Sequence, residues 1–354
     1  MGSARVVVVI PALNEAASVG DVVRGVPREM PGATVTDVVV VDDGSTDETA
    51  SIARQAGATV VSHPRNLGSG AAFATGRQAG VDLGAEIICH MDGDGQFDPG
   101  DIPALLAPLL DSRADLVTCT RFARKDLEPT MPRVKKWGNR MVTRLVNRSC
   151  GGSFTDASCG FRAYTRTTAH QLHGFSKFDY AQETLMRIVS RGLRVAEVPL
   201  RVRGVREHGE SRIARSVLAY GVRCLCILLL TMRDMHPIRF FAAIGSVFMA
   251  AGVFLGAWVL VHWARTGETI PYTSFLTGSA LGVMAAILLY VLGLLADMIV
   301  RQRAVQEQAI FELRVLKDSL GNSAAAASAS RGAGAGGAPG REPGSRASEP
   351  RSET

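Results

Sequence analysis

Two stretches in the last third of the chain contain no formally charged residue. They are Phe240–Trp263 and Phe275–Ala296, which hold 24 and 22 residues. About 20 apolar residues cross the ~30 Å hydrocarbon core of a bilayer as a helix. The sequence therefore predicts two transmembrane helices and argues against a freely soluble protein. Residues 1–239 are globular in composition, which argues against a multi-spanning channel or carrier.

Basic residues flank the two stretches and predict an orientation. The connecting loop, residues 264–274, contains one basic residue, Arg265, and positive charge tends to stay on the cytosolic side. We therefore expect both termini and the large N-terminal part in the cytosol, with the short loop outside. The basic residues beyond the two stretches are Arg233, Arg239, Arg301, Arg303, Arg314 and Lys317.

Cysteine usage agrees with a cytosolic N-terminal part. The chain has six cysteines and no C-x-x-C pair, which is typical of free thiols in a reducing compartment. We expect no secretory signal, because the first apolar run, Val6–Ile10, has the length of a strand and ends at Pro11.

The first two hundred residues alternate between short Val/Ile-rich runs and helical runs. This alternation predicts a doubly wound α/β layer, in which ligands bind beyond the carboxyl ends of the strands. The predicted strands are Val6–Ile10, Val38–Val41, Ala58–Ser62, Glu86–Met91 and Asp115–Cys119. The predicted helices are Glu15–Val26, Asp47–Ala56, Ser69–Leu83 and Gly100–Leu110.

Acidic residues follow several of these strands and predict a metal site. Acids at neighbouring carboxyl ends converge on one cleft, where they repel one another unless a cation compensates them. Asp47 or Asp101 could instead cap a helix, but Asp92 and Asp94 alternate with glycines and open no helix. Oxygen ligands of this kind suit Mg²⁺ or Mn²⁺. The segments concerned are Pro11–Glu15, Val41–Ser45 and Met91–Gln96.

The sequence argues against a dinucleotide-binding fold. Such a fold needs G-x-G-x-x-G after the first strand, where this chain reads P-A-L-N-E. The glycines of Gly68–Ala72 follow the third predicted strand, and the chain contains no P-loop sequence.

Positive charge is concentrated between Arg121 and Arg148. This segment has nine Lys/Arg and two acidic residues, a net +7 that exceeds the +6 of the whole chain. Val134, Trp137, Met141 and Leu145 recur in it at helical spacing, which predicts an apolar stripe on a basic helix. Two interpretations stay open: a solvated face over a core contact, or a helix against anionic lipid headgroups. Binding to nucleic acid is not indicated, because no known reading module accompanies the charge.

A series of motifs follows one order along residues 6–212. The motifs are P-x-x-N-E, V-D-D-G-S, N-x-G-x-G, D-x-D-x-Q, Thr120–Phe122, Asp156–Arg162, Glu183, Glu197–Pro199 and Arg206–Arg212. With these motifs in this order the chain resembles the family 2 glycosyltransferases of GT-A fold, in the branch of dolichyl-phosphate mannose synthase and bacterial polyprenyl-phosphate glucosyltransferases.

The resemblance implies a fold and a reaction. The fold would be an α/β GT-A, Rossmann-like, mostly parallel sheet between helices, followed by interfacial helices and two transmembrane helices. The enzyme would move a hexose from a UDP- or GDP-linked donor to polyprenyl phosphate (dolichyl or undecaprenyl), with inversion and with Mg²⁺ or Mn²⁺. The lipid phosphate is largely ionised at pH 7, so no strong general base is needed.

The resemblance also implies roles for individual residues. The metal would be held by Asp92, Asp94 and Gln96, and Asp94 and Arg206 would be catalytic. The acceptor phosphate would be bound by Arg121, Arg133, Ser158 and Arg162. The donor pocket would be lined by Pro11, Ala12, Asn14, Glu15, Asp42, Asp43, Gly70, Asp92 and Gly93. The chain departs from the family at Phe97 (often His), Arg212 (often Lys) and near Trp137 (often Ser), and the last departure puts the detail of acceptor-phosphate binding in doubt.

We expect five regions: a catalytic domain (1–210), an interfacial amphipathic helix (211–239), two membrane helices (240–300), a cytosolic helix (301–320) and a disordered tail (321–354). Each membrane helix has a G-x-x-x-G, Gly252/Gly256 and Gly278/Gly282, which would allow close approach. Two other functions stay open: a processive polysaccharide synthase, which would usually carry Q-x-x-R-W, and an inactive sugar-nucleotide-binding scaffold, which would typically lack an acid of D-x-D. The sugar, the prenyl length and the formation of a homo-oligomer are left open.

Overall fold

The computed structural model describes residues 3–172, 180–203, 229–230, 233 and 236–334. The chain divides into two compact units, Met1–Val305 and Gln306–Thr354. The elements in chain order are β1 (Ala4–Ala12), α1 (Val19–Gly25), β2 (Glu29–Met30), β3 (Ala33–Asp42), α2 (Thr49–Gln55), β4 (Thr59–Ser62), α3 (Ser69–Asp82), β5 (Ile87–His90), α4 (Ile102–Leu110), β6 (Leu116–Thr120), α5 (Arg133–Cys150), β7 (Arg162–Thr165), α6 (Arg166–Gln171), α7 (Tyr180–Ser190), β8 (Val195–Pro199), α8 (Pro237–Thr266) and α9 (Thr273–Gly334).

The strands form one mixed sheet in the order β2-β3-β1-β5-β7-β6-β8, with β4 also paired to β3. The pairs β1–β3, β1–β5, β3–β4 and β6–β8 are parallel, whereas β7 runs antiparallel to both β5 and β6. The prediction of a mostly parallel α/β sheet is therefore confirmed, and so are all five predicted strands to within a few residues. The strands β2, β7 and β8 were not predicted.

The core lies on both faces of the sheet, which explains the continuous valine run of β1. Val6, Val8 and Ile10 point to one face and Val7 and Val9 to the other, and all five are fully buried. Helices α1 and α4 cover the first face, and α3 and α7 cover the second. In a strand that is buried on both faces every side chain lies in the core, so apolar and polar residues do not alternate along it.

Two C-terminal helices are long and apolar enough to cross a membrane. The segments that meet this description are Pro237–Thr266 and Thr273–Gln302, and only 17% and 11% of an 18-residue apolar stretch in each is buried. The core helix of a soluble protein would be mostly covered, so these exposed apolar surfaces agree with the two predicted spans.

Helices α8 and α9 approach each other closely at their glycines. A Cβ added to Gly282 would lie 3.1 Å from the Cα of Gly252, and the Ser279 hydroxyl donates a hydrogen bond to the Gly252 carbonyl at 2.7 Å. A Cβ on Gly256 would meet the Ser279 hydroxyl at 2.7 Å, whereas one on Gly278 would make an ordinary contact at 3.5 Å. The close approach expected from the G-x-x-x-G spacing thus involves Gly252, Gly256 and Gly282.

The end of α9 differs from the sequence expectation. The helix continues to Gly334, whereas the sequence predicts a disordered tail from residue 321. Residues Ala324–Ala327 are four consecutive alanines. Alanine has the highest helix propensity of the amino acids, which accounts for the extension. Residues 335–354 lie outside the described part of the chain, as do most of the predicted interfacial helix and both Arg206 and Arg212.

Candidate active site

The loops that follow β1 and β3 are bonded into one rim at the carboxyl edge of the sheet. The Asn14 amide donates to the Ser45 hydroxyl at 2.9 Å, and the Asn14 side-chain oxygen accepts from the Thr46 amide at 2.7 Å. Asn14 adopts φ 52°, a left-handed conformation that asparagine tolerates better than most residues. Parallel pairing places Ala12 beside Asp42. The predicted donor-pocket residues Pro11–Glu15 and Asp42 therefore share one edge.

Asp43 bonds the segment after β4 to the rim. It is only 4% exposed, and its carboxylate accepts hydrogen bonds from the amides of Leu67 and Gly68, both at 2.9 Å, and from His63 Nδ1 at 2.7 Å. The place of Asp43 in the donor pocket stays a prediction.

The neighbouring Gly44 explains the glycine of V-D-D-G-S. Its φ is +76°, and an added Cβ would lie 2.4 Å from the backbone carbon of Arg65, so only glycine fits there.

Two other predicted donor-pocket residues are buried. Asp42 is buried, and its Oδ1 accepts from the Ser45 amide at 2.9 Å. Gly70 is buried in the first turn of α3.

The D-G-D segment after β5 lies directly against the first loop. The Gly93 amide donates to the Pro11 carbonyl at 3.3 Å, and a Cβ on Gly93 would come within 3.3 Å of the Ala12 Cβ. Asp94 is 6% exposed, and its Oδ1 accepts from the Gln96 amide at 3.1 Å. A side chain at Gly93 would therefore be tight against the first loop.

Gly160 leaves the space that the Asp92 carboxylate occupies. A Cβ at Gly160 would lie 2.9 and 3.1 Å from the two carboxylate oxygens of Asp92 and 3.0 Å from the Tyr180 hydroxyl. The segment before β7 and the start of α7 therefore close over Asp92. Tyr180 stacks on Phe73 with ring centroids 4.6 Å apart. No motif drew attention to Tyr180 in the sequence.

The side-chain oxygens at this edge are of the kind that would hold a divalent cation together with substrate phosphates. Within the described residues no three or more His, Cys, Asp or Glu side chains form a metal-binding group. The available donors are the carboxylates of Asp92 and Asp94 and the amide oxygen of Gln96, whose amide nitrogen donates to the Arg203 carbonyl at 3.2 Å. Mg²⁺ is typically bound by one or two carboxylates together with substrate phosphates, so this small oxygen set is suitable. Phe97 takes no part, since it is buried against Phe161.

Arg121 is held by a fully buried carboxylate. Its Nε lies 2.6 Å from Asp156 Oδ2 and its Nη2 lies 3.0 Å from Asp156 Oδ1, a bidentate pair. Burial opposes the charge of Arg121, but the hydrogen bonds and charge of Asp156 outweigh it and raise its pKa above the usual value. The Arg121 side chain is 19% exposed and Asp156 is fully buried. Arg121 is therefore a fixed cation at the end of β6.

Arg162 does not meet the expectation for an acceptor ligand. It is fully buried, and its guanidinium donates to the carbonyls of Cys159 at 2.8 Å, Ala157 at 3.2 Å and Ala181. It therefore holds the segment before β7 in place and cannot contact a substrate directly. A sequence shows that an arginine is present but does not show which way it points.

The other two predicted acceptor residues lie at separate places. The Ser158 amide donates to Asp156 Oδ1 at 3.1 Å, and its hydroxyl accepts from Gln182 at 3.3 Å, so Ser158 belongs to the Asp156 cluster. Arg133 is the exposed first residue of α5.

Helix α5 presents an exposed surface that is both basic and apolar. Val134, Trp137 and Met141 are exposed by 44%, 64% and 44%. The opposite face carries Asn139, Thr143 and Val146, which are buried. The predicted apolar stripe is therefore present, but it faces away from the core. The interpretation as a core contact is wrong for these three residues.

Comparison with known proteins identifies the family. Residues 7–172 match the sequence model of glycosyl transferase family 2, and residues 236–301 match the model of the GtrB C-terminal hairpin. Over 204 residues the chain is 32% identical to the protein MJ1222 of Methanocaldococcus jannaschii, covering 56% of this chain and 81% of that one. The chain belongs to glycosyl transferase family 2. It is therefore a glycosyltransferase, as the motif series predicted.

This family 2 glycosyltransferase is also similar to two enzymes whose substrates are named, one by sequence and one by fold. The dodecaprenyl-phosphate galacturonate synthase of Rhizobium johnstonii is 28% identical over 313 residues, which are 83% of this chain and 87% of that one. The fold is similar to glucosyl-3-phosphoglycerate synthase of Mycobacterium tuberculosis, crystallised with Mn²⁺, UDP-glucose and phosphoglyceric acid. The TM-score is 0.50 at 26% identity, covering 65% of this chain and 79% of that one.

Proposed function

We propose that this glycosyltransferase moves a hexose from a UDP- or GDP-sugar to polyprenyl phosphate at the cytosolic face of a membrane. The observation that carries the proposal is the rim at the carboxyl edge of the sheet, where Asp92 lies between the first loop and Gly160. The acceptor class rests on the Rhizobium johnstonii synthase, whose similarity extends over 83% of this chain.

The donor side of the proposal uses the residues gathered at that rim. Pro11–Glu15 and Asp42 would line the pocket for the nucleotide, and Asp92, Asp94 and Gln96 would hold a divalent cation. Bound there, such a cation would stabilise negative charge on the departing diphosphate. The Mycobacterium tuberculosis synthase, which was crystallised with Mn²⁺ and UDP-glucose, supports this donor chemistry. Arg206 would add a positive charge from the segment beyond residue 203.

The acceptor side needs positive charge more than a base. A phosphate oxygen of the lipid attacks the anomeric carbon, the bond from that carbon to the donor diphosphate breaks, and the electron pair leaves with the diphosphate oxygen. The sugar's configuration is inverted. The phosphate is already ionised near neutral pH, so the fixed cation Arg121 and the exposed Arg133 would serve to hold it beside the donor.

The membrane side of the proposal combines three surfaces. The two apolar helices would span the bilayer, and the basic, apolar face of α5 would lie on its headgroups. His236, one residue before α8, bonds to the Ser149 carbonyl near the end of α5 at 3.1 Å, so α5 ends where the chain would enter the membrane. A prenyl chain leaves a bilayer at a cost of ~0.8 kcal/mol per CH₂, so the cleft must come to the lipid. The basic flanks of the spans support a cytosolic position for the catalytic part.

A donor and acceptor panel tests the proposal. Purified full-length protein is given UDP- and GDP-sugars with Mg²⁺ or Mn²⁺, and either polyprenyl phosphate or phosphoglyceric acid, with mass spectrometry of both products. We expect a sugar on the lipid from one donor, dependent on the metal. A sugar on phosphoglyceric acid alone, or on no acceptor with any donor, would contradict the proposed function.

A further inference from the structure

A buried polar cluster surrounds Asp156, and its members come from the segment after β6, from α5 and from the segment before β7. The Asp156 carboxylate accepts from Arg121 after β6, from Asn139 Nδ2 of α5 at 3.3 Å, and from the Ser158 amide at 3.1 Å. Asp156 is fully buried and Asn139 is 7% exposed. An ionised carboxylate in such a position is stable only while these donors satisfy it.

Glu197 of β8 fixes the backbone that carries Asp156. Its two oxygens accept from the Thr155 amide, both at 2.9 Å, and its Oε1 accepts from the Asp156 amide at 3.0 Å. The Thr155 hydroxyl donates to Glu197 at 3.0 Å and lies 2.6 Å from the Thr120 hydroxyl. Because β8 pairs with β6 in parallel, the sheet itself determines where the Asp156 carboxylate points.

The orientation of Arg121 follows from that carboxylate. Asp156 takes both the Nε and the Nη2 edge of the guanidinium, so the side chain cannot rotate without breaking two charge-assisted bonds. Asn139 joins the same carboxylate to α5, whose opposite face carries the exposed Trp137. The fixed cation is thereby connected to the helix that would lie on the lipid headgroups.

We propose that Asp156 is a positioning residue: held by Glu197, it presents Arg121 to an anionic phosphate oxygen of the acceptor. The inference deepens the proposed function and rests on it. Asp156 touches neither substrate, so it acts only through Arg121. Its removal should weaken acceptor binding and leave donor binding unchanged.

A double-mutant cycle separates this role from a purely structural one. The enzymes compared are wild type, Asp156→Asn, Arg121→Ala and the double variant, with KM measured for polyprenyl phosphate and for the sugar nucleotide. We expect Asp156→Asn to raise the lipid KM by about tenfold or more, as for one lost charge-assisted bond, with the donor KM changed less than about twofold. The double variant should match Arg121→Ala, because the two residues act as one unit.

A matched control is available at the opposite end of β6. Asp115 makes the same bidentate contact with Arg194, at 2.9 Å to Nη2 and 3.1 Å to Nε. Asp115→Asn should leave both KM values unchanged. If Asp156→Asn does not fold, Glu197→Gln provides a milder variant, and a raised lipid KM at constant donor KM is expected there as well.

The outcomes distinguish the two proposals. Equal changes in both KM values, additive effects in the double variant, or a wild-type lipid KM in folded Asp156→Asn would overturn the positioning role while wild type still transfers sugar to the lipid. A wild-type enzyme that transfers no sugar to polyprenyl phosphate would overturn the proposed function, and the inference with it.

Discussion

Gly160→Ala tests whether the space beside Asp92 matters for catalysis. The added methyl group would lie 2.9 and 3.1 Å from the Asp92 oxygens and 3.0 Å from the Tyr180 hydroxyl, all inside the 3.4 Å of ordinary contact. The carboxylate must therefore move by about 0.3–0.5 Å or rotate. Catalytic groups need placement to within about 0.5 Å, and a 1 Å error costs about 10²-fold in rate.

We accordingly expect Gly160→Ala to lower kcat by about 10- to 100-fold and to raise the metal concentration needed for half-maximal rate. The lipid KM should change little, because the methyl group points at the donor side. The φ of Gly160 lies outside the left-handed region, so alanine adds no backbone strain, and overpacking should cost about 1–3 kcal/mol at most. Thermal unfolding of the purified protein checks that the variant is folded.

The matched control is Gly278→Ala, in which the new methyl group meets Leu255 at an ordinary 3.5 Å. It should keep the wild-type rate and metal requirement. The reasoning is refuted if folded Gly160→Ala retains the wild-type kcat and metal dependence, because the position of Asp92 would then be irrelevant to the reaction.

Three further predictions concern the acid, the helix and a buried histidine. Asp94→Asn keeps the oxygen that accepts from Gln96, so it should fold with a normal melting temperature yet lose transfer; near-normal turnover would argue against a metal at this edge. With Trp258 and Trp263 changed to Phe, the remaining Trp137 should be quenched by brominated lipids in anionic vesicles, and quenching by aqueous iodide instead would place α5 in water. Burial, with the charges of Arg77 and Arg162, lowers the pKa of His90 to about 3, so the unfolded chain binds the extra proton between pH 6.5 and 3 and stability falls as pH falls through that window. Denaturant unfolding should show a smaller acid loss in His90→Gln, and an unchanged profile would contradict this.

The sequence was sufficient for the strands that carry the donor side. The runs Val6–Ile10 and Val38–Val41 are apolar at every position, a pattern that fits a strand buried on both faces, and the structure has them as β1 and β3. The acidic residues that follow these strands lie at the carboxyl edge of the sheet because each comes directly after a strand. Parallel neighbours bring their carboxyl ends to one edge whatever the side-chain details.

The sequence was not sufficient for the partners of charged side chains. Asp43 and Arg162 are charged residues of the kind that bind substrates, yet Asp43 bonds to two backbone amides and to His63, and Arg162 bonds to backbone carbonyls. Those partners lie as many as 25 residues away along the chain, so only the tertiary structure reveals them. The motif Glu197–Pro199 gives no sign of what Glu197 contacts, because its bond to the Asp156 amide depends on the pairing of β8 with β6.

The reversed direction of β7 has a consequence for the two sides of the rim. Because β7 is antiparallel, its first residue, Arg162, lies beside His90 and Thr118, so the chain leaves β6 and returns to β7 at the same edge of the sheet. This connection, residues 121–161, carries both Arg121 with its partner Asp156 and Gly160 beside Asp92. A change in its conformation would therefore alter the proposed acceptor cation and the space of the Asp92 carboxylate together.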